Sequence, residues 1–409
     1  MSYSDKSYPS QITVTEALKK LREQAVRLES QRVPLVKALG RTLAQDLRSP
    51  VDHPSVDNSA LDGYACRAAD TVGATRETPV TLRVIGDVPA GSMFAGEVGV
   101  GETVSIYTGA PIPRGADAII GVEFTQTSDA GVELSKPASP GDIRPRAQDL
   151  QTGEVYLEAG RTLTAAAVAV AAAMGYAAVP VAKKPRVGIL ATGDEIVEPG
   201  NPISDGQVYN SNAYGLCARV AQAGGEAVRL ENVRDDPALL EESLKGLELD
   251  LLLTSGGVSM GRYDFVRDLL FDKGTVHFWK VAMKPGGPVL FGSYGALPVL
   301  GLPGNPVSSL VVFELLGRAF LNAALGSRET LPYHTRIPAT ADTPFRGSGF
   351  KETFARATLR FNAHGSYVAS STGNQSSGVL RSLLAADALA VVPPHTNVEV
   401  GERLEVILL

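Results

Sequence analysis

The chain is poor in the residues that mark disulfide-rich proteins and common zinc enzymes. Its 409 residues include two cysteines, Cys66 and Cys217. Two cysteines this far apart form neither a disulfide framework nor a zinc-binding pattern, so we expect both to be small core residues in a reducing cytosol. The five histidines have none of the spacings that hold catalytic zinc. The composition is instead that of a globular protein, with 44% hydrophobic and 20% charged residues.

Long hydrophobic runs and an excess of basic charge are also missing. We expect no signal peptide, because the N-terminus has no apolar core. The most apolar segment, 165–179, is too short to span a bilayer, and we interpret it as a buried helix that begins after Thr164 and ends at Gly175. The net charge of −6 argues against general binding to nucleic acid or to an anionic membrane. We therefore expect a cytoplasmic protein with neither partner.

The residue pattern of the first 182 positions predicts a β-rich insertion between helical segments. Thr13 and Glu16 form a capping-box pattern ahead of an apolar-periodic run, which predicts a first helix. Between residues 51 and 142, glycine and proline separate short β-rich runs. The segment that follows turns helical again and could pair with the first helix, so that both would form one helical domain.

The second half of the chain predicts an α/β region followed by a β region. Strands and helices alternate from about residue 186 to residue 325, which is the pattern of a doubly wound parallel sheet. Leu251, Leu252 and Leu253 have no polar alternation, as expected for a central strand that is covered on both faces. After residue 331 the helical pattern stops, and short strands predict a small β domain.

Polar loops rich in glycine follow three predicted strands of the α/β region, at 192–195, 255–257 and 301–308. The carboxyl ends of parallel strands meet at one edge of a sheet, which is where such sheets bind ligands. Each loop alone could be a glycine-rich turn without a ligand. Their coincidence favours a ligand cleft, with the loop after Leu253 as an anion cradle.

Carboxylates and lysines lie near the same predicted edge. Asp194, Glu195 and Asp264 carry the oxygen ligands that Mg²⁺ prefers, although each could be a helix cap or a solvated loop charge. Asp235 or Asp236 is interpreted as a helix cap.

Lys280 and Lys284 belong to the sequence WKVAMKPGGP. A lysine held before a proline can present a point charge to an oxyanion, whereas the alternative is an ordinary surface lysine. A separate polar cluster at 57–64, with a turn at 108–113, is either a functional loop or an Asx-turn. From the residues alone, the chain is interpreted as a multidomain enzyme that acts on a small phosphorylated ligand with Mg²⁺.

Taken together, these clusters resemble the MoeA family of molybdopterin molybdenumtransferases and the matching domain of gephyrin. The motifs that carry the resemblance keep their order over nearly the whole chain. They are DNSALDGYA (57–65), TGAPIP (108–113), TGDE (192–195), RDD (234–236), SGGVS (255–259), Asp264, KPG (284–286), GLPGNPVS (301–308) and STGNQ (371–375). The first of them and GLPGNPVS are highly specific.

The resemblance implies a multidomain α/β plus β fold. Its regions would be a discontinuous helical and dimerisation domain (8–50 and 143–182), an inserted β-rich domain (51–142), a central doubly wound α/β/α molybdopterin-binding domain (183–330) and a small C-terminal domain resembling a β-barrel (331–409). The protein would be a homodimer, with each active site joining the α/β domain of one subunit to the inserted domain of the other.

The reaction implied by the resemblance is insertion of molybdate into adenylylated molybdopterin with Mg²⁺, which releases AMP. A molybdopterin adenylyltransferase would act upstream as a partner. The implied catalytic residues are Asp62, Thr108, Glu195, Asp235, Asp264, Lys280 and Lys284, with Asp62 and Thr108 coming from the partner subunit. The implied metal ligands are Asp194, Glu195 and Asp264.

The implied ligand-binding residues fall into two groups. Ser255, Gly256, Gly257 and Ser259 would cradle the pterin phosphate, and Pro303, Asn305 and Pro306 are further cofactor-binding residues that the resemblance implies. Those that would hold molybdate are Lys284, Ser308, Arg356 and Ser377. Gly287 departs from the family, because many members carry a second basic residue there. Molybdate affinity would then be weaker, or Lys280 would compensate.

Three alternatives to this function stay open at the level of sequence. A molybdopterin adenylyltransferase or a CinA-like pyrophosphatase shares the α/β fold, but a stand-alone adenylyltransferase would lack the 57–64 cluster and the C-terminal β domain. A non-catalytic scaffold like gephyrin would need a further partner domain or a long linker. A paralogue that inserts tungstate is not distinguishable by sequence.

Overall fold

A seven-stranded sheet forms the centre of the computed structural model, which describes residues 10–234, 236–258, 264–328 and 336–409. Its strands, in spatial order, are Ser10–Ile12, Thr275–Val281, Leu290–Tyr294, Leu297–Leu302, Leu251–Ser255, Arg186–Ala191 and Glu226–Arg229. The last four run parallel to one another, and Leu290–Tyr294 adds antiparallel to Leu297–Leu302. The prediction of a doubly wound α/β sheet is confirmed.

Helices cover both faces of this sheet, which explains the unbroken apolar run at its centre. Leu251 and Leu253 point into one core and Leu252 points into the other. The first core is covered by helices Val14–Gln24, Ser211–Gln222, Pro306–Val312 and Arg318–Ala324, and the second by Pro237–Ser243 and Phe265–Lys273. A strand without polar alternation is therefore buried on both sides.

The longest apolar helical stretch, Pro306–Ala324, packs within the first core. It contains a π-helical turn at Phe313–Gly317. By length and composition it could cross a membrane, but 78% of its most apolar window is buried inside the protein. It is a core helix of the α/β region.

The first helix, Val14–Gln24, begins with the predicted capping box. Thr13 Oγ1 accepts from the Glu16 backbone at 3.2 Å, and Glu16 Oε2 accepts from the Thr13 backbone at 2.8 Å. The predicted pairing of this helix with the segment after residue 143 is wrong. Its apolar face, which includes Leu18 and Leu21, packs on the α/β core and contacts helix Arg318–Ala324.

A third core joins residues 33–47 to residues 150–181. Its strands pair as Ser30–Pro34 with Ala178–Ala182 and as Leu47–Arg48 with Val155–Leu157. The predicted helix is present as Ala165–Ala173, with Thr164 as its N-cap and Gly175 in a left-handed conformation (φ +85°) just after its end. The expectation that this helix is buried is wrong, because Ala167 and Ala171 are buried and the opposite alanine face is exposed.

The residues between these two segments form a β-rich region, as predicted. Its six-stranded sheet has the order Ala118–Gly121, Gly63–Cys66, Glu102–Ile106, Val80–Val88, Gly131–Leu134 and Thr125–Ser128. A small ladder of Asn58–Ser59 with Ile143–Arg144 lies at its base. Ala65 and Cys66 point to opposite faces of the sheet, into separate cores.

The C-terminal region is a closed five-stranded barrel. Its strands are Arg336–Ala341, Glu352–Phe361, Tyr367–Ser371, Ala388–Val392 and Arg403–Leu408, and pairing of Glu352–Phe361 with Ala388–Val392 closes the ring. The prediction of a barrel-like domain is confirmed. Phe345–Arg346 pairs with Asn397–Val398, and a short helix spans Arg381–Leu384. The start of Glu352–Phe361 also pairs with Met283–Lys284 of the α/β region.

We expect Gly63→Ala to destabilise the protein strongly. A Cβ atom at Gly63 would lie 1.9 Å from the Ile120 carbonyl oxygen, which belongs to the neighbouring strand and cannot move aside cheaply. The loss in the free energy of unfolding should be about 2 kcal/mol or more, measured by urea denaturation. The control is Gly141→Ala, whose Cβ would meet only the Ser139 hydroxyl at 3.3 Å. Equal stability of the two variants would contradict this packing.

Candidate functional site

The three loops that follow the parallel strands lie together at one edge of the sheet. The Gly256 amide donates to the Leu302 carbonyl at 3.0 Å, and the Thr192 amide donates to the Ser255 carbonyl at 3.4 Å. Gly256 (φ +101°) and Gly257 (φ +70°) both adopt left-handed backbone conformations that favour glycine. The predicted convergence of these loops is therefore present in the structure.

Asn212 holds two of these loops together, and the sequence analysis missed it. Its Nδ2 donates to Ser255 Oγ and to the Gly304 carbonyl, both at 2.7 Å. Ser255 is 5% exposed and is not among the residues that line the cleft described below. The Ser255 hydroxyl thus supports the loop from behind, whereas Gly256 and Gly257 face the open space.

A cleft of about 1080 Å³ lies between this sheet edge and the C-terminal barrel. Segments of both regions line it, including residues 283–288 of the α/β region and most of residues 344–356 of the C-terminal region. The residues predicted from the sequence that line it are Gly256, Gly257, Asp264, Lys284, Pro303, Asn305, Ser308, Arg356 and Ser377. Its size suits a ligand larger than a single oxyanion.

The charges that line the cleft are mainly positive. They come from Lys284, Arg346, Lys351 and Arg356, and the one carboxylate among the lining residues is Asp264. Asp264 is 8% exposed, and its Oδ2 lies 3.6 Å from Nη1 of Arg267. A concave site with this balance concentrates anions, even though the whole chain carries a net charge of −6.

Arg356 builds one wall of the cleft. Only 1% of its surface is exposed; Nε donates to Ser382 Oγ at 3.1 Å, and Nη2 donates to the Ser376 carbonyl at 3.1 Å. Burial lowers the pKa of the Arg356 guanidinium from its ordinary value, which is so high that the group stays charged. Nη1 makes no hydrogen bond to any residue that the structure describes, and Arg356 lines the cleft. The bonds of Arg356 thereby fix the loop that carries Ser377.

Three of the remaining predicted residues do not line the cleft. Lys280 Nζ lies 4.2 Å from the centre of the Trp279 ring, and Pro306 is the first residue of its helix. Glu195 is exposed, and its carboxylate folds over Gly193, where a Cβ atom would lie 2.4 Å from Oε2. Lys280 thus directs its ammonium group at the Trp279 ring and is not among the residues that line the cleft.

Asp194 is likewise exposed outside the cleft lining, after the neighbouring parallel strand. The loop that begins here runs through the strand pair Ile196–Val197 and Val208–Tyr209. Ser259 and Asp235 lie outside the described residues. Asp236 caps helix Pro237–Ser243 by accepting from the Ala238 amide at 2.7 Å, which confirms one of the two predicted capping positions.

The donor set fits Mg²⁺ only in combination with a phosphorylated ligand. Within the described ranges, no three histidine, cysteine or acidic side chains are close enough to hold a metal ion by themselves. Mg²⁺ is usually bound by one or two carboxylates together with substrate phosphates and water. The buried Asp264 carboxylate, which lines the cleft together with Gly257, supplies a donor of this kind.

The 57–64 and 108–113 motifs form a single unit in the inserted region. The backbone amide and hydroxyl of Thr108 donate to Asp62 Oδ1 at 2.7 and 2.8 Å. These bonds favour the charged carboxylate and lower the pKa of Asp62 from its ordinary value. Asp57 accepts from the Arg146 amide at 2.7 Å. Neither Asp62 nor Thr108 lines the cleft of its own chain.

Comparison with known families covers nearly the whole chain. Residues 12–175 match the MoeA N-terminal region (domain I and II), 188–323 match the probable molybdopterin binding domain, and 338–409 match the MoeA C-terminal region (domain IV). These three matches together span the N-terminal, α/β and C-terminal regions whose cores are described above. They support one shared architecture rather than a likeness of a single domain.

Curated relatives and solved structures agree with these matches. The chain is 39% identical to molybdopterin molybdenumtransferase 2 of Mycobacterium tuberculosis, covering 91% of this chain and 94% of the relative. It is 34% identical to the molybdopterin molybdenumtransferase of Haemophilus influenzae, covering 97% and 98%. The crystal structure of a molybdopterin biosynthesis MoeA protein from Pyrococcus horikoshii OT3 superimposes with a TM-score of 0.84 at 30% identity, covering 98% of this chain and 100% of the other.

We expect Thr108→Val to raise the pKa of Asp62 towards its ordinary value, because the variant removes a hydrogen bond that favours the carboxylate. The measurement is the pH dependence of the Asp62 carboxyl ¹³C shift, assigned by comparison with Asp62→Asn. The lowered pKa also means that the stabilisation by this pair is present above about pH 4 and is lost as the pH falls through the folded-state pKa.

The control variant is Thr152→Val. Thr152 donates to Asp52, and its hydroxyl and amide, with Arg146, lower the pKa of Asp52 to about 2. This variant should shift Asp52 and leave Asp62 unchanged. An Asp62 pKa that is the same in Thr108→Val and in the unmodified protein would show that the hydroxyl does not set it.

Proposed function

We propose that this chain, which belongs to the MoeA family, inserts molybdate into adenylylated molybdopterin and releases AMP. The observation that carries the proposal is the cleft whose lining charges are mainly positive, at the ligand-binding edge of the α/β sheet. Both substrates are anions, and molybdate is a tetrahedral dianion. A site with lysine, arginine and hydroxyl donors suits such groups.

Two groups of cleft residues are proposed to hold the two substrates. Gly256 and Gly257 let the backbone approach closely, so these residues would receive the phosphate of the pterin. Lys284, Ser308, Arg356 and Ser377 also line the cleft and would hold molybdate. Holding both in one cleft places the oxyanion next to the group it must reach, which is a proximity effect.

Asp264 is the described carboxylate placed to hold Mg²⁺ against a substrate phosphate, with Asp194 and Glu195 at the neighbouring strand end as further candidates. When bound, Mg²⁺ would neutralise the charge that develops as the phosphoanhydride is cleaved. The protein's own part is to orient the phosphate with backbone amides and to hold the oxyanion with Lys284. Arg356 keeps the loop of Ser377 in position for the same purpose.

We further propose that the active site is shared within a homodimer. Asp62 belongs to the highly specific 57–65 motif and Thr108 to the 108–113 motif, yet neither lines the cleft of its own chain. A second subunit that places its Asp62 and Thr108 at the cleft would reconcile these two observations. The proposed setting is the cytoplasm, with a molybdopterin adenylyltransferase supplying the adenylylated substrate.

The direct test is to incubate the purified protein with adenylylated molybdopterin, molybdate and Mg²⁺. We expect AMP release that depends on molybdate, and a lowering of the rate by about a hundredfold or more in Asp264→Asn. The matched control is Lys245→Ala, which removes an exposed lysine that pairs with Glu242. If molybdate has no effect, while molybdopterin itself becomes adenylylated with ATP, the protein is an adenylyltransferase instead.

The shared site is tested with mixed dimers of Asp62→Ala and Asp264→Ala subunits. Each pure variant should be inactive. In the mixed dimer one cleft combines the intact Asp264 of one subunit with the intact Asp62 of the other, so about half of the activity should return. Differently tagged subunits allow the mixed dimer to be purified. No recovery of activity would contradict the shared site.

A further inference from the structure

Lys351 is a cleft residue to which the sequence analysis gave no role. It immediately precedes strand Glu352–Phe361 of the barrel and lines the cleft together with Lys284 and Arg356. Its Nζ lies 5.7 Å from the centre of the Phe350 ring. Within the described part of the chain, no carboxylate lies at ion-pair distance from Lys351. By contrast, Arg346 lines the same cleft but is paired with Glu399.

Lys351 places its charge beside Gly287, where the backbone offers no side chain. A Cβ atom on Gly287 would lie 3.7 Å from Lys351 Nζ. Both residues line the cleft, and Gly287 follows Lys284 by three positions. The ammonium group therefore reaches the Lys284 turn from the barrel side.

Thr353 adds a hydroxyl group to the same corner. It is 6% exposed, it lines the cleft, and its register partner across the strand pair is Lys284. Thr353 Oγ1 is buried and has no hydrogen-bond partner among the residues that the structure describes. A buried hydroxyl without a partner costs free energy, so a ligand that accepts from it would relieve this cost.

We propose that Lys351 and Thr353 bind the tetrahedral oxyanion together with Lys284, so that the barrel strand supplies the second lysine of the oxyanion subsite. The proposal rests on the proposed function, in which molybdate is the oxyanion. Two lysines balance the two charges of the dianion, and the threonine hydroxyl donates to one of its oxygens. Lys351 thereby takes the position that a basic side chain at residue 287 would otherwise hold.

The test measures binding of sodium molybdate alone to the full-length protein by titration calorimetry. We expect Lys351→Met, which keeps the length of the side chain but removes its charge, to raise the dissociation constant by about tenfold or more. Thr353→Val, which keeps the shape and removes the hydroxyl, should raise it by about fivefold. Lys351→Arg should stay close to the unmodified protein, and circular dichroism checks that each variant is folded.

A rescue variant separates the charge from any structural effect. Gly287 is not in a left-handed conformation, and a Cβ atom there would lie 3.1 Å from the Met283 carbonyl oxygen and 3.3 Å from that of Val281, contacts that shifts of a few tenths of an ångström relieve. Gly287→Lys in the Lys351→Met background should therefore restore most of the affinity. Recovery supports a shared position for the two charges.

The outcomes distinguish this inference from the proposed function. Weaker molybdate binding in Lys351→Met supports the inference. It does so even if the unmodified protein releases no AMP in the presence of molybdate, a result that would contradict only the proposed function. Unchanged binding in both Lys351→Met and Thr353→Val overturns the inference, even if AMP release is normal. Absence of saturable molybdate binding to the unmodified protein also overturns it.

Discussion

The parallel pairing of Arg186–Ala191, Leu251–Ser255 and Leu297–Leu302 is the constraint on which the site depends. Because these strands share one direction, their carboxyl ends lie at one edge, and residues far apart in sequence become neighbours. The pairing is stabilised by burial of apolar side chains on both faces of the sheet. The polar loops can then remain open, because the sheet beneath them supplies the stability.

Local patterns predicted the elements of this fold well. The capping box at Thr13 and Glu16 depends on contacts three residues apart, and the strand at Leu251 depends on an uninterrupted apolar run. Which surface covers an apolar helix face is decided by distant residues. The pairing partner of the first helix was therefore predicted wrongly, and the exposed alanine face of Ala165–Ala173 was not foreseen.

Most predicted residues of the candidate site lie in the motifs that carry the family resemblance, whereas Asn212 and Lys351, which were missed, lie outside those motifs. Asn212 lies on an amphipathic helix like many polar residues, and its two partners are 43 and 92 positions away. Lys351 forms an isolated β-bridge with Ser348 just before its barrel strand, and its relation to Gly287 exists only after the barrel has formed. Conversely, Lys280 belongs to a suggestive sequence, but its side chain lies over Trp279.

The double pairing of Glu352–Phe361 bears on how a ligand would meet the cleft. The first residues of this strand bond to Met283–Lys284, and the later ones close the barrel. One continuous backbone thus fastens both cationic walls, so their spacing is set before any ligand arrives. An anion would then bind to charges that are already in place, with little loss of chain entropy on association. Because the separation of the walls is fixed, the cleft would also favour oxyanions of one size over smaller ones.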